Sequence, residues 1–158
     1  MDGIVVARTL HILAVVIWIG GVAMATTVAI PAVRRGDLGP DRFMAFQAIE
    51  RRFVWQARTA VILVGATGLY MTAALDLWDR FRTLEFWWMH AMVCVWLLFA
   101  FILFIAEPFI LHRYVRRWAM TAPDVVFTWL HRAHWVLLTL ALITVFGAAA
   151  GSHGWFLL

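Results

Sequence analysis

The sequence predicts an all-α integral membrane protein, a four-helix bundle that crosses the bilayer up, down, up and down with both termini outside. Three observations predict this fold. The 158 residues are 65% hydrophobic and only 14% charged, with a mean hydropathy of +0.87, which is far more apolar than a soluble domain. Four apolar stretches each exceed the roughly 20 residues that a helix needs to cross the hydrocarbon core. The arginines, thirdly, concentrate in alternate loops.

The four predicted spans cover about residues 4–30, 53–77, 86–111 and 125–150, and the whole chain, 1–158, is predicted to form one domain. In lipid, only helices satisfy every backbone group within one segment. Span one is too long for a signal peptide and lacks a preceding basic residue, so we expect it to be retained. It is predicted to end near Pro31. Asp41 is predicted to cap a helix that begins at Arg42 and runs into span two.

The basic residues other than histidine are all arginine, and their distribution predicts the orientation. Two loops hold most of them: Arg34, Arg35, Arg42, Arg51, Arg52 and Arg58 in one, and Arg113, Arg116, Arg117 and Arg132 in or beside the other. The positive-inside rule then places these loops in the cytoplasm and both termini in the periplasm of a bacterial inner membrane. Such arginines favour the lipid bilayer as partner and argue against nucleic acid.

Small residues mark the predicted helix contacts. Glycines let helix backbones approach closely in a membrane, and we expect a packing role for Gly20, Gly21, Gly65, Gly68, Gly147 and Gly151.

Two histidines carry the functional prediction. His11 and His90 lie roughly 10 Å and 6 Å inside the outer ends of spans one and three. Polar groups at such depth in lipid are costly and indicate function. Two imidazoles on diagonal, co-oriented helices are suited to hold haem b through its iron, and Arg8 is the predicted partner of a propionate. The alternative is that each histidine hydrogen-bonds to a neighbouring helix.

Other histidines suggest weaker sites. His131 and His134 share a face of span four near its cytoplasmic end, and with His112 they suggest a second metal or haem site. His153, in the outer tail, is a candidate third ligand if His11 and His90 bind copper instead. No catalytic residue is predicted, and the single cysteine excludes an internal disulfide.

Two opposite charges lie at similar depth near the inner side. Arg58 on span two and Glu107 on span three are predicted to form a structural ion pair, because a charge in lipid needs a partner. A proton-relay role for Glu107 remains the alternative.

Four short runs resemble HemJ-type protoporphyrinogen oxidases and the related CopD-like membrane proteins. They are Arg8–Gly21 (RTLHILAVVIWIGG), Glu50–Phe53 (ERRF), Gly65–Tyr70 (GATGLY) and Trp88–His90 (WMH). The HemJ resemblance implies a four-helix inner-membrane protein that binds haem b through His11 and oxidises protoporphyrinogen. The CopD-like resemblance implies copper transport or tolerance.

The chain departs from the HemJ pattern at two places. Met92 stands where that family has a lysine, and His131–Trp135 (HRAHW) stands where it has an Asn-Glu segment. The expected function is therefore haem-based redox or porphyrin chemistry, as an oxidoreductase or a membrane cytochrome b, with a quinone, a porphyrin or a redox protein as partner. A copper protein, a cofactor-free assembly subunit and a homo-oligomer stay open.

Overall fold

The computed structural model describes residues 2–111, 117, 118 and 121–154, which contain helices and turns but no strand. Four helices are long and apolar enough to cross a membrane, and we call them spans one to four. They are Asp2–Arg35, Arg42–Ala74, Leu84–Phe109 and Pro123–Ser152. The all-helical fold class and the number of predicted spans are confirmed.

Two of the spans change helical register near their arginine-rich ends. Span one consists of an α-helix over Asp2–Met24, a π-helix over Ala25–Ala29 and an α-helix over Ile30–Arg35. Span three has an α-helix over Trp87–Phe101 and a π-helix over Ile102–Leu111. Spans two and four are single α-helices, Arg42–Ala74 and Pro123–Ser152. The 3₁₀ turn Trp78–Arg82 precedes span three, and a second 3₁₀ turn, Leu84–Phe86, forms its start.

Span two begins where the sequence predicts. The Asp41 carboxylate accepts a hydrogen bond from the Met44 backbone N–H at 2.9 Å, which satisfies one of the free donors of the first turn. The helix then continues without a break through the amphipathic stretch into the apolar one.

Span one does not end at Pro31, and that prediction was wrong. The helix passes through the proline and ends at Arg35, where Gly36 adopts a left-handed conformation with φ +79°. The helix can continue because its register before Pro31 is π-helical and because His131 of span four approaches the carbonyl that the proline leaves free.

Glycines set the contacts between neighbouring spans. A Cβ atom on Gly21 would overlap the ring of Phe53, and one on Gly65 would overlap the ring of Trp96. Cβ atoms on Gly147 and Gly151 would likewise overlap the rings of Trp87 and Trp88. These contacts confirm the packing role predicted for those glycines.

Gly20 departs from that prediction, because no atom of another element lies within 4 Å of a Cβ built there. Gly3 lies beside Tyr70, so the start of span one meets the end of span two. The start of span three meets the end of span four in the same way.

All four spans share one core. Trp18 of span one packs edge-on against Phe99 of span three, with ring centroids 4.8 Å apart, and Val61 and Ala141 come from spans two and four. A second cluster at the arginine-rich end contains Ile30, Val33, Phe46, Phe127 and Leu130. The contact between Trp18 and Phe99 shows that the diagonal spans one and three meet inside the bundle.

Gly65→Ala should destabilise the bundle, because the Trp96 ring cannot move away without straining the 2.8 Å hydrogen bond from its indole N–H to the Val61 carbonyl. We expect a loss of about 1–3 kcal/mol, typical of an overpacked core. Thermal unfolding in detergent measures it. Gly20→Ala is the matched control and should be neutral, and equal losses in both variants would contradict this account of the packing.

Candidate functional site

His11 is held by the second span in one defined tautomer. Its Nδ1 lies 2.9 Å from the Thr67 hydroxyl oxygen, and that hydroxyl donates its own hydrogen to the Leu63 carbonyl at 2.6 Å. The Thr67 oxygen, with its own hydrogen used in this way, accepts a hydrogen bond from the His11 Nδ1–H. Gly68 allows the imidazole to approach, because a Cβ there would lie 3.3 Å from the His11 Cε1 atom. In the neutral ring, Nε2 then keeps a free lone pair.

His90 contacts a different part of the molecule. Its Nε2 lies 3.0 Å from the carbonyl oxygen of Phe81, in the turn before span three, and its Nδ1 lies 3.4 Å from that of Phe86. The Phe81 ring packs edge-on against the imidazole. His90 thus ties the turn to span three, whereas His11 is bonded to span two. The shared iron site of these two histidines remains a prediction.

Two other outer candidates lie on the surface. Arg8 is exposed one turn before His11. His153 is exposed too, and its Nδ1 donates to the Ala149 carbonyl of its own helix at 2.8 Å.

His131 connects spans one and four at the arginine-rich end. The Arg34 guanidinium donates to His131 Nδ1 at 3.0 Å and to the Thr128 hydroxyl at 3.2 Å. Because a guanidinium can only donate, Nδ1 is an acceptor and the ring proton is on Nε2. Nε2 lies 3.0 Å from the Thr26 carbonyl, to which it can donate, and 3.1 Å from the Trp135 indole N–H, which is itself a donor. The Nε2–H tautomer satisfies the contacts with Arg34 and Thr26 and leaves the indole N–H without a hydrogen bond to His131.

The Thr26 carbonyl needs this donor because of Pro31. In the π-helical register the Ile30 N–H bonds to the Ala25 carbonyl, five residues back. The Thr26 carbonyl would therefore bond to residue 31, and proline has no N–H. His131 supplies the missing hydrogen bond from span four, as membrane helices require where a proline frees a carbonyl.

The same arrangement occurs in span three. Pro108 lies in a π-helix, so the carbonyl five residues before it, that of Leu103, has no backbone donor there. Arg58 of span two donates its Nε–H to the Leu103 carbonyl at 3.0 Å and an Nη2–H to the Glu107 carboxylate at 2.7 Å. The predicted Arg58–Glu107 pair is therefore confirmed, and its side chains are only 21% and 20% exposed.

The second predicted site is described only in part. His134 donates from Nδ1 to the Leu130 carbonyl at 2.9 Å, which leaves its Nε2 as the unprotonated nitrogen. His112 lies outside the described residues. Within the described part of the chain, no group of three or more His, Cys, Asp or Glu side chains is placed to hold a metal ion.

One buried donor lacks an acceptor. The Trp18 side chain is 4% exposed, and its indole nitrogen is the single buried side-chain N or O atom without a hydrogen-bond partner in the described ranges. Trp18 follows His11 by seven residues and so lies on the same face of span one, two turns further in. Sequence reasoning missed this donor, because a tryptophan in an apolar helix gives no sign of its partners.

The sequence matches no protein-family model and no curated protein, and the fold matches no solved structure. The resemblance to HemJ-type and CopD-like proteins therefore remains a prediction based on the four short runs.

His131→Ala should lower the thermal stability of the protein, because the Thr26 carbonyl then lies in an apolar interior without a donor. The expected loss is about 1–3 kcal/mol. Pro31→Ala restores an N–H to span one, so the double variant should recover most of that loss. Thermal unfolding of the four proteins in detergent measures the coupling, and additive effects of the two substitutions would refute the proposed replacement.

Proposed function

We propose that this chain is a haem-b-binding membrane protein of redox or porphyrin chemistry, with His11 as the protein ligand of the iron. One observation carries the proposal: Thr67 fixes the His11 tautomer in which Nε2 is free. Metal-binding histidines commonly donate their other ring N–H to a neighbouring oxygen, which orients the ring and raises its basicity.

The surrounding residues fit this group. Aliphatic and aromatic side chains of all four spans form the adjacent core. Trp18, whose buried indole N–H has no partner among the described residues, lies two turns from His11 on the same face of span one. Arg8 is exposed one turn further out and is suited to pair with a propionate. Bound haem would supply one-electron redox chemistry, while the chain supplies the ligand and a low-dielectric surrounding.

His90 has a different role in this proposal. Its Nε2–H is used by the Phe81 carbonyl, so ligation through that nitrogen would require the turn before span three to release it. We therefore propose that His11 binds the iron and that His90 holds the turn before span three in place. Copper handling is the competing function, and the metal content of the purified protein decides between the two.

Pigment analysis tests the proposal. Protein purified in detergent should show a Soret band and contain haem b, and His11→Ala should lose both. His90→Ala is the matched control and should retain the haem. Thr67→Val should weaken haem affinity about 10- to 100-fold, as is typical when the partner of a metal-binding histidine is removed.

The opposite results would refute the proposal. Colourless protein with stoichiometric copper would instead support copper handling, and a Soret band that survives His11→Ala would exclude His11 as the ligand.

We further propose that the protein crosses a bacterial inner membrane up, down, up and down, with both termini periplasmic. The arginines of the loop between spans one and two support a cytoplasmic position of that loop. Alkaline phosphatase, which is active only in the periplasm, should be active when fused to the C-terminus and inactive when fused after Asp37. The reverse pattern would overturn this orientation.

A further inference from the structure

A cleft opens at the arginine-rich end, between spans two and three. It has a volume of about 420 Å³, within the usual range of small-molecule sites. Apolar side chains (Met44, Ala48 and Val54) form part of its wall. Its other lining residues are Gln47, Glu50, Arg51, Trp55, Arg58 and Glu107.

Several contacts of Arg58 hold the inner wall of the cleft together. Arg58 is bonded to the Leu103 carbonyl and the Glu107 carboxylate, and its guanidinium lies 5.7 Å from the Trp55 ring centroid and 5.8 Å from that of Phe104. The π-helix around Pro108 supplies both of these bonded groups. Such π-helical segments are frequent at functional sites.

Polar groups in the cleft are free to meet a ligand. Among the described residues, Gln47, Glu50 and Arg51 have no side-chain hydrogen bond or ion pair to the protein. Gln47 and Arg51 are separated by four residues, so they lie one turn apart on the same face of span two. Together they present amide and guanidinium N–H donors to the cleft.

The cleft is open towards the side of the helix rather than into the core. Trp55 is 67% exposed and Met44 is 66% exposed. On a membrane-spanning helix such apolar surface faces lipid or the interface, where tryptophan is enriched. A ligand can therefore enter from the bilayer and leave a hydrophobic tail in it.

We infer that this cleft binds the head group of a lipid-soluble quinone, with Gln47 and Arg51 donating to its carbonyl oxygens and Trp55 stacking on its ring. This ligand deepens the proposed redox function, because it identifies the chemical class of the partner. A phospholipid phosphate would meet only one unpaired cation, Arg51, because Arg58 is already bonded to Glu107, and the unpaired Glu50 lies in the same lining. A quinone is neutral and needs only donors and an aromatic wall.

Binding can be measured without any electron transfer. Full-length protein in detergent is titrated with a short-chain benzoquinone by isothermal titration calorimetry. Wild type should show saturable binding, and Arg51→Leu and Gln47→Leu should each weaken it about tenfold or more, because a ligand carbonyl loses its donor. Arg52→Leu removes the adjacent exposed arginine, which does not line the cleft, and should bind like wild type.

Several results would overturn the inference. They are the absence of saturable binding by the wild type, equal effects of Arg51→Leu and Arg52→Leu, and displacement of the quinone by phosphatidylglycerol. Thermal unfolding confirms that each variant is folded. Colourless protein that binds quinone would refute the haem proposal and leave this inference standing, whereas haem-containing protein without quinone binding would do the reverse.

Discussion

The fold depends on one constraint of the membrane interior, which is that a backbone carbonyl freed by a proline must find another donor, and here a neighbouring helix supplies it. Two spans carry a proline next to or within a π-helical segment, and in both the carbonyl five residues earlier accepts a side-chain hydrogen bond. Span four supplies His131 to the Thr26 carbonyl, and span two supplies Arg58 to the Leu103 carbonyl. Polar side chains in lipid therefore connect neighbouring spans here.

The same constraint separates structural from functional polar residues. Arg58, Glu107 and His131 use their hydrogen-bonding groups on neighbouring spans, and His90 uses its Nε2–H on a turn. His11 differs, because its bond to Thr67 of another span orients the ring and leaves one nitrogen free. His134 also keeps a free Nε2, but its Nδ1 is bonded within its own helix. Burial alone does not identify a ligand in a membrane helix. The more informative property is which nitrogen remains unused once the neighbours are counted.

Residue types and spacing predicted several features correctly. The Asp41 cap followed from a side-chain oxygen placed before a helical pattern, and the Arg58–Glu107 pair followed from two opposite charges at one depth. The prediction that span one ends near Pro31 was wrong, because the rule that proline stops a helix assumes that no distant donor can replace its N–H. The packing role predicted for Gly20 was wrong for a related reason. A small residue shows where a close helix contact is allowed, but it does not show whether a neighbouring side chain is present.

What the sequence determined by itself was the class and number of elements, four long apolar helices, and the Asp41 cap of span two. These properties depend on the local chain and on the solvent around it. Only the tertiary structure decided the π-helical registers, the hydrogen-bond partners of His11 and His131 and the cleft beside Arg58. Each of these depends on donors and acceptors that are far apart in sequence, such as Thr26 and His131, and hydrogen-bond partners at such separation are set by how helices pack.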